Sequence, residues 1–300
     1  MFFTNKTEIT QAETTVEARA KINLTLDVTG RREDGYHTVQ MVMQSVGLHD
    51  DISIVVTHGE KKPRGILLSC NLPYLPLDES NLAYRAAELF YAHTCTLLET
   101  CEIHIEKRIP IAAGLAGGST DAAAVLRGLN TLHGTGLTDD ELCEMGLKLG
   151  ADIPYCLRGG TMLAEGIGEQ LTALKPMPHC WVVLCKPPFA VFTKEVYTAI
   201  DAIELKDRPD TQGMLRAIEQ GDFAGICSRL SNVMEDVIVA KRRQVGEIKA
   251  FLAENGADGT LMSGSGPTVF GLFADEGRAK TAAKMLSHRF ADTFLTEIVG

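Results

Sequence analysis

IPIAAGLAGGSTDAAAVLRGLN, residues 109–130, is the stretch on which the reading of this chain turns. Gly114, Gly117 and Gly118, set among small alanines, leave room for a backbone to wrap closely around a ligand. Ser119, Thr120 and Asp121 follow at once and are good N-capping types, and Ala122 to Leu129 is strongly helical. A glycine-rich loop that feeds a helix N-terminus points N–H groups and a partial positive charge at one spot, which suits phosphate. Ser119 or Thr120 adds a hydroxyl for a phosphate or for Mg2+. Asp121 cuts both ways, since it caps a helix well yet brings negative charge to the same place. No Lys precedes Ser119 and the glycines do not fit G-x-G-x-x-G, so neither the Walker loop nor the dinucleotide fingerprint applies. A glycine turn followed by a capped helix remains the plain alternative.

Upstream, Val16, Ala18, Ala20, Ile22, Leu24, Leu26 and Val28 alternate with other residues up to Gly30, the period of a half-buried strand. Lys21, Asn23 and Asp27 lie on its opposite face. Residues 1–15 are polar and aperiodic and read as a frayed extension. TVQMVMQSVGL, ISIVVT and ILLSC read as further strands divided by Asp50-Asp51 and by the turn GEKKPRG, an antiparallel β opening. Asp78 to Ser80 can cap a helix from Asn81 to about Cys95, and the strand CEIHIEK leads into the glycine-rich segment. Helical patterns cover 119–132, 138–149, 193–202, 211–219, 241–254 and 275–288, while TMLAEG, WVVLCKP and GTLMSG look like strands. The class is α+β, with little strict β-α-β alternation. A weak shift in composition puts a boundary near 160–175, giving an extension at 1–15 and domains at 16–165 and 166–300.

The 300 residues carry 29 Lys and Arg against 39 Asp and Glu, a net charge of -10 that repels nucleic acid and leaves an anionic nucleotide to be held by a local device. No apolar run approaches the length of a membrane span and the opening residues lack a secretory layout, so a cytoplasmic protein without a membrane partner is expected. The eight cysteines form no C-x-x-C pair and read as reduced core thiols, and the histidines show no zinc spacing; no metal ligand set is expected.

The segment PIAAGLAGGSTDAAA closely resembles the nucleotide loop of the galactokinase, homoserine kinase, mevalonate kinase and phosphomevalonate kinase superfamily, the GHMP kinases. EARAKINLTLDVTGRREDGYHTVQ, LGADIPYCLRGGTMLAEGIGEQL and LMSGSGPTVFGLF fit it in the right order, over about residues 17–290, and resemble the branch acting on a cytidine-diphosphate-linked methylerythritol. The resemblance is vague over 200–245. It implies a two-domain fold, with an N-terminal ribosomal-protein-like β-α domain, a C-terminal α/β sandwich and an active site in the cleft between them. It implies transfer of phosphate from ATP, with Mg2+, to the 2-hydroxyl of that acceptor in the non-mevalonate route to isoprenoid precursors. The oligomeric expectation is a monomer or weak homodimer.

By the same resemblance Lys21 and Asp152 form the catalytic pair. Asp152 takes up or orients the hydroxyl proton, and Lys21 holds it ionised and offsets charge on the moving phosphoryl group. Without the family, Lys21 reads as a solvated strand residue and Asp152 as a turn or N-cap. The backbone of Pro110, Ile111, Ala112, Ala113, Gly114, Leu115, Ala116, Gly117, Gly118, Ser119 and Thr120 would hold ATP. Tyr36 and His37 offer a stacking face and an edge reader for cytosine, with a second aromatic in PPFAVFTKEVY, Tyr197 favoured over Phe192. Asn23, two residues past Lys21 on the same face, and Gly264, Ser265, Gly266 and Thr268 complete the expected acceptor contacts. A kinase acting on homoserine or mevalonate, a silent nucleotide-binding protein and a nucleic-acid module are the rivals; the first two offer no use for GYH and for the Lys21 and Asp152 pair, respectively.

Overall fold

The computed structural model describes residues 10–58, 64–205 and 207–300. In chain order the elements are β1 (Thr10–Arg31), β2 (His37–His58), β3 (Gly65–Cys70), α1 (Leu82–Thr94), β4 (Thr100–Glu106), α2 (Gly117–His133), α3 (Asp139–Leu147), α4 (Ile153–Arg158), β5 (Thr161–Glu165), β6 (Gln170–Ala173) and β7 (Trp181–Lys186). There follow α5 (Thr193–Ile200), α6 (Thr211–Gln220), α7 (Phe223–Cys227), β8 (Ser231–Asn232), α8 (Val233–Lys241), α9 (Arg243–Glu254), β9 (Gly259–Met262), β10 (Val269–Phe273), α10 (Glu276–Ser287) and β11 (Asp292–Glu297). The α+β class holds, and among the described residues no helix is long and apolar enough to cross a membrane.

Two compact units interleave along the chain. The first comprises the described residues up to Ala18, His49–Arg108 and Gly118–Leu157; the second comprises Arg19–Leu48, Ile109–Gly117 and Arg158–Gly300. Compactness therefore does not follow one break near 165, because β1 and β2, 22 residues each, both contribute to the two units.

In the first unit β4 runs antiparallel to β2, with Ile52 opposite Ile105 and Ile54 opposite Ile103, and parallel to β3. The alternating isoleucines present one apolar face, on which Ala86 and Phe90 of α1 and Val125, Leu126 and Leu129 of α2 are buried. Each fully buried Val, Leu, Ile or Phe side chain contributes about 1.5–3 kcal/mol on leaving water. Gly128 lets α2 pack this closely: a Cβ there would lie 2.6 Å from Ile54 Cδ1.

In the second unit β5 pairs antiparallel with Met41 to Gln44 of β2 and with β6, and β8 joins β1 in parallel at Thr25 and Leu26. A separate antiparallel sheet runs β11-β7-β10-β9. Ile22, Leu24, Val42, Val182, Leu184, Phe270 and Leu272 share its core. All eight cysteines are free thiols, four of them buried.

Several expectations change. Residues 10–15 belong to β1, and the rest of the expected extension, like residues 59–63 of the GEKKPRG turn, lies outside the described residues. Asp50-Asp51 does not divide two strands, since β2 runs unbroken from His37 to His58. β3 pairs in parallel, so the opening is not wholly antiparallel. β1 is not half-buried over Lys21–Leu26, where both faces are covered: Lys21 is 5% exposed and Asn23 and Thr25 are fully buried. The segments that became α4, α7, α8, β6 and β11 carry too short or too mixed a pattern to be read from periodicity.

Candidate active site

Lys21 sits mid-strand in β1 of the second unit. Its Nζ donates to Asn23 Oδ1 at 2.7 Å, and Asn23 Nδ2 reaches Met41 Sδ at 3.2 Å. The Lys21 backbone N–H donates to Leu115 O in the glycine-rich loop. The solvated-lysine reading is excluded by burial: a buried ammonium persists only when hydrogen-bonded or paired.

The loop itself is shaped by left-handed backbone at alternate residues, Ala112 (φ 51°), Gly114 (φ 75°) and Ala116 (φ 59°). Left-handed residues are one ingredient of the backbone turns in which successive N–H groups can form an anion-binding concavity. Two alanines in this region carry strain of the kind that accumulates at ligand sites. Gly114 is required for a different reason from phosphate approach. A Cβ there would stand 2.2 Å from Ser263 O and 3.0 Å from Gly266 N, so the 263–266 turn packs directly on it. Ser263 Oγ donates to Gly114 O, and Thr268 N donates to Ala113 O. Gly264 is left-handed (φ 56°) and its missing Cβ would lie 3.3 Å from Lys21 Nζ. Lys21, the loop and the SGSG turn are thus one packed arrangement within the second unit. Asn232, which the sequence reading passed over, pins it: its Nδ2 donates to Met262 O and Gly264 O at 2.8 Å each, while its Oδ1 caps α8. Ser265 Oγ lies 2.9 Å from Thr193 Oγ1, and Thr268 is fully buried, its hydroxyl without a hydrogen-bond partner among the described residues.

α2 begins at Gly117, which places Ser119, Thr120 and Asp121 inside its first turns and not in the cap position. Asp121 belongs instead to a buried ionic triad of the first unit. Lys107 Nζ contacts Asp50 Oδ2 at 2.5 Å and Asp121 Oδ2 at 2.8 Å, and Asp50 Oδ1 also accepts from the Arg108 N–H. Asn71 holds the Lys107 backbone from both sides. Burial alone would lower the Lys107 ammonium, but the two carboxylates outweigh it and raise it. With one ammonium between two carboxylates, and with Asp121 Oδ1 unbonded, burial pushes the Asp121 carboxyl up to about 7.

Asp152 stands in the turn before α4, half-buried, its carbonyl accepting from Cys156 N at 3.0 Å. The neighbouring Ile153 is fully buried against α3, where Gly146 makes room: a Cβ there would lie 2.5 Å from Ile153 Cγ2. The turn is therefore anchored, and Asp152 with it.

At the β1–β2 connection Tyr36 is 62% exposed. His37 opens β2, and its ring lies on that of Tyr197, with centroids 4.5 Å apart and planes 11° from parallel. Phe192, the rival aromatic, is an exposed residue preceding α5. His37 Nε2 lies 2.7 Å from Asp201 Oδ1, and Arg31 Nη1 lies 3.1 Å from Asp201 Oδ2. Asp201 was not anticipated; its spacing of four from Tyr197 on a helix was the available signal.

A glycine loop bent by left-handed residues and packed beside a buried lysine sits here in a kinase of the GHMP class. Patterns of that class match, the GHMP kinases N terminal domain over residues 81–160 and the GHMP kinases C terminal domain over residues 214–292. The chain is 46% identical over 284 residues to a 4-diphosphocytidyl-2-C-methyl-D-erythritol kinase of Clostridium botulinum (strain Eklund 17B / Type B), covering 95% of this chain and 99% of that one. A crystal structure of 4-(cytidine 5'-diphospho)-2C-methyl-D-erythritol kinase superposes with a TM-score of 0.79 at 32% identity, covering 96% and 100% of the two chains. Homoserine kinase from Cytophaga hutchinsonii shares the fold, with a TM-score of 0.73 at 17% identity over 100% and 97%. The chain belongs to the 4-diphosphocytidyl-2-C-methyl-D-erythritol kinase family.

Proposed function

We propose that this protein transfers the γ-phosphoryl group of ATP to the 2-hydroxyl of 4-diphosphocytidyl-2-C-methyl-D-erythritol, releasing ADP, on the non-mevalonate route to isoprenoid precursors. The observation that carries the reading is identity sustained over 95% of the chain to a kinase of that name. The backbone of residues 110–120 would hold the ATP phosphates, its N–H groups around the left-handed Ala112, Gly114 and Ala116 forming the anion cradle. Asp152 would take the proton from the acceptor hydroxyl as its oxygen bonds to phosphorus and the bond to the ADP oxygen breaks. Lys21, already desolvated, would oppose the charge that spreads over the transferring group, where a low-dielectric setting makes one ammonium effective. Asn23 would keep the Lys21 side chain directed.

Mg2+ is part of the proposal. The ion would be carried mainly on phosphate oxygens and water. The half-buried Ser119 in the first turn of α2 would offer it a hydroxyl. Tyr36, His37 and Tyr197 would receive the cytosine, with Gly264, Ser265 and Gly266 beside the acceptor.

The test is ADP release from Mg-ATP with the cytidylyl acceptor, with homoserine and mevalonate in parallel and Asp152→Asn as control. Turnover with the cytidylyl acceptor alone, lost in the control, is expected. Turnover with homoserine or mevalonate in its place would overturn the assignment of the acceptor.

A further inference from the structure

The ring of His37 is gripped by two residues of one helix. Tyr197 and Asp201 stand four apart at the end of α5 and therefore share a face. The Tyr197 stack, parallel to within 11°, sets the plane of the imidazole; the 2.7 Å contact from Nε2 to Asp201 Oδ1 sets its rotation within that plane. Arg31 holds the second carboxylate oxygen at 3.1 Å. The His37 side chain is only 9% exposed. Asp201 is the C-cap of α5, where the helix dipole disfavours an acid, so helix stability does not account for this residue type. The hydrogen bond from His37 and the charge of Arg31 hold its carboxyl below the usual carboxylate range. A cleft of about 500 Å³, the size of a small-molecule site, opens beside them and is lined in part by Arg31, His37, Ile200, Asp201 and Arg208.

An ionised carboxylate only accepts hydrogen bonds. In the neutral imidazole the proton must then sit on Nε2, which leaves Nδ1 a bare acceptor. Cytosine presents an amino donor at the position where uracil presents a carbonyl acceptor, so an acceptor-only nitrogen admits the first and repels the second. We propose that Asp201 is a specificity-determining positioning residue, which by fixing the tautomer and orientation of His37 makes the site accept a cytosine and refuse a uracil. The inference rests on the reading above that the base is received at His37.

The test uses the full chain labelled with 15N in histidine, at pH about 8.5. The His37 nitrogens, identified by their loss in His37→Gln, should report the Nε2–H tautomer. They should shift toward Nδ1–H in Asp201→Asn, whose amide can turn a donor to Nε2, and lose their bias in Asp201→Ala. In both variants kcat/KM for the cytidylyl acceptor should fall about 10-fold, the loss of one hydrogen bond, through KM and not kcat. Preference over the uridylyl analogue should fall by at least as much, KM for ATP should stay unchanged, and Asp201→Glu should restore part of the preference. An Nε2–H tautomer and an undiminished base preference in both Asn and Ala variants would overturn the role of Asp201. Wild-type protein inactive on the cytidylyl acceptor would overturn the kinase reading and the base-selection role with it, whatever the tautomer.

Discussion

Lys107→Met is the perturbation that most directly tests the buried triad. Methionine keeps the length and apolar stem of lysine and removes only the ammonium, leaving Asp50 and Asp121, 0% and 4% exposed at their side chains, without the cation between them. Breaking a buried ion pair from one side costs about 3–5 kcal/mol, because the stranded charge stays out of water. Asp121→Asn should cost far less, since it leaves one ammonium with one carboxylate, and Asp50 keeps the Arg108 N–H. Placed on Lys107→Met, Asp121→Asn should recover part of the loss, a coupling of about 0.5–3 kcal/mol. The pH dependence has a defined sign. The Asp121 carboxyl is pushed up to about 7 in the folded chain, against an ordinary value of about 3.9 in the unfolded one. Between those values the folded chain binds a proton that the unfolded chain does not, so this group's contribution to stability falls as pH rises from about 4 to about 7, by at most about 1.4 kcal/mol per unit. Urea unfolding of wild type, both single variants and the double variant across that range measures all of this. A Lys107→Met loss below about 1 kcal/mol, or a pH profile unchanged by Asp121→Asn, would refute the buried triad.

Gly114→Ala should abolish activity and lower stability, since alanine meets both a left-handed backbone, unfavourable by about 1–2 kcal/mol, and a carbonyl 2.2 Å from its Cβ; thermal unfolding and ATP binding measure the two effects. Gly118→Ala is the control, with nothing nearer than 3.7 Å and a helical backbone: it should gain about 0.5–1 kcal/mol of stability, and weaker ATP binding in this more stable variant would show that phosphate approaches that glycine. Asp152→Asn should lower kcat by about 10²–10⁴-fold with little change in unfolding midpoint, and unaltered steady-state turnover would remove it from proton transfer. Asn232→Ala should lose both carbonyl contacts to the 262–264 turn and the α8 cap, about 1–3 kcal/mol in chemical unfolding.

What could be read in the sequence was what depends on near neighbours. The strand alternation through Lys21 and the helix after the glycines follow from periods of 2 and 3.6 residues, and both are present. The chemistry of the same residues depends on what covers them, which no period encodes. Lys21 and Asn23 sit where an alternating pattern puts solvent, yet both are buried, because the second face of β1 is also covered. Asp50-Asp51 looks like a break because paired acids in a strand are costly in water-free surroundings; Lys107, 57 residues away, removes that cost for Asp50, and Arg108 does so for Asp51. Gly114 looks like a phosphate glycine and is first a packing glycine, for a turn about 150 residues downstream. In each case a polar or glycine residue acquired its role from a partner distant in sequence. Asp201 is the instructive exception. Its partner His37 is 164 residues away, but Tyr197 is expected from the sequence at the far side of the base that His37 reads, and a carboxylate one helical turn further on shares the face of Tyr197. Helical spacing from a residue already assigned therefore carries site information even where long-range contacts do not, and the Asp201 variants test that step from spacing to specificity.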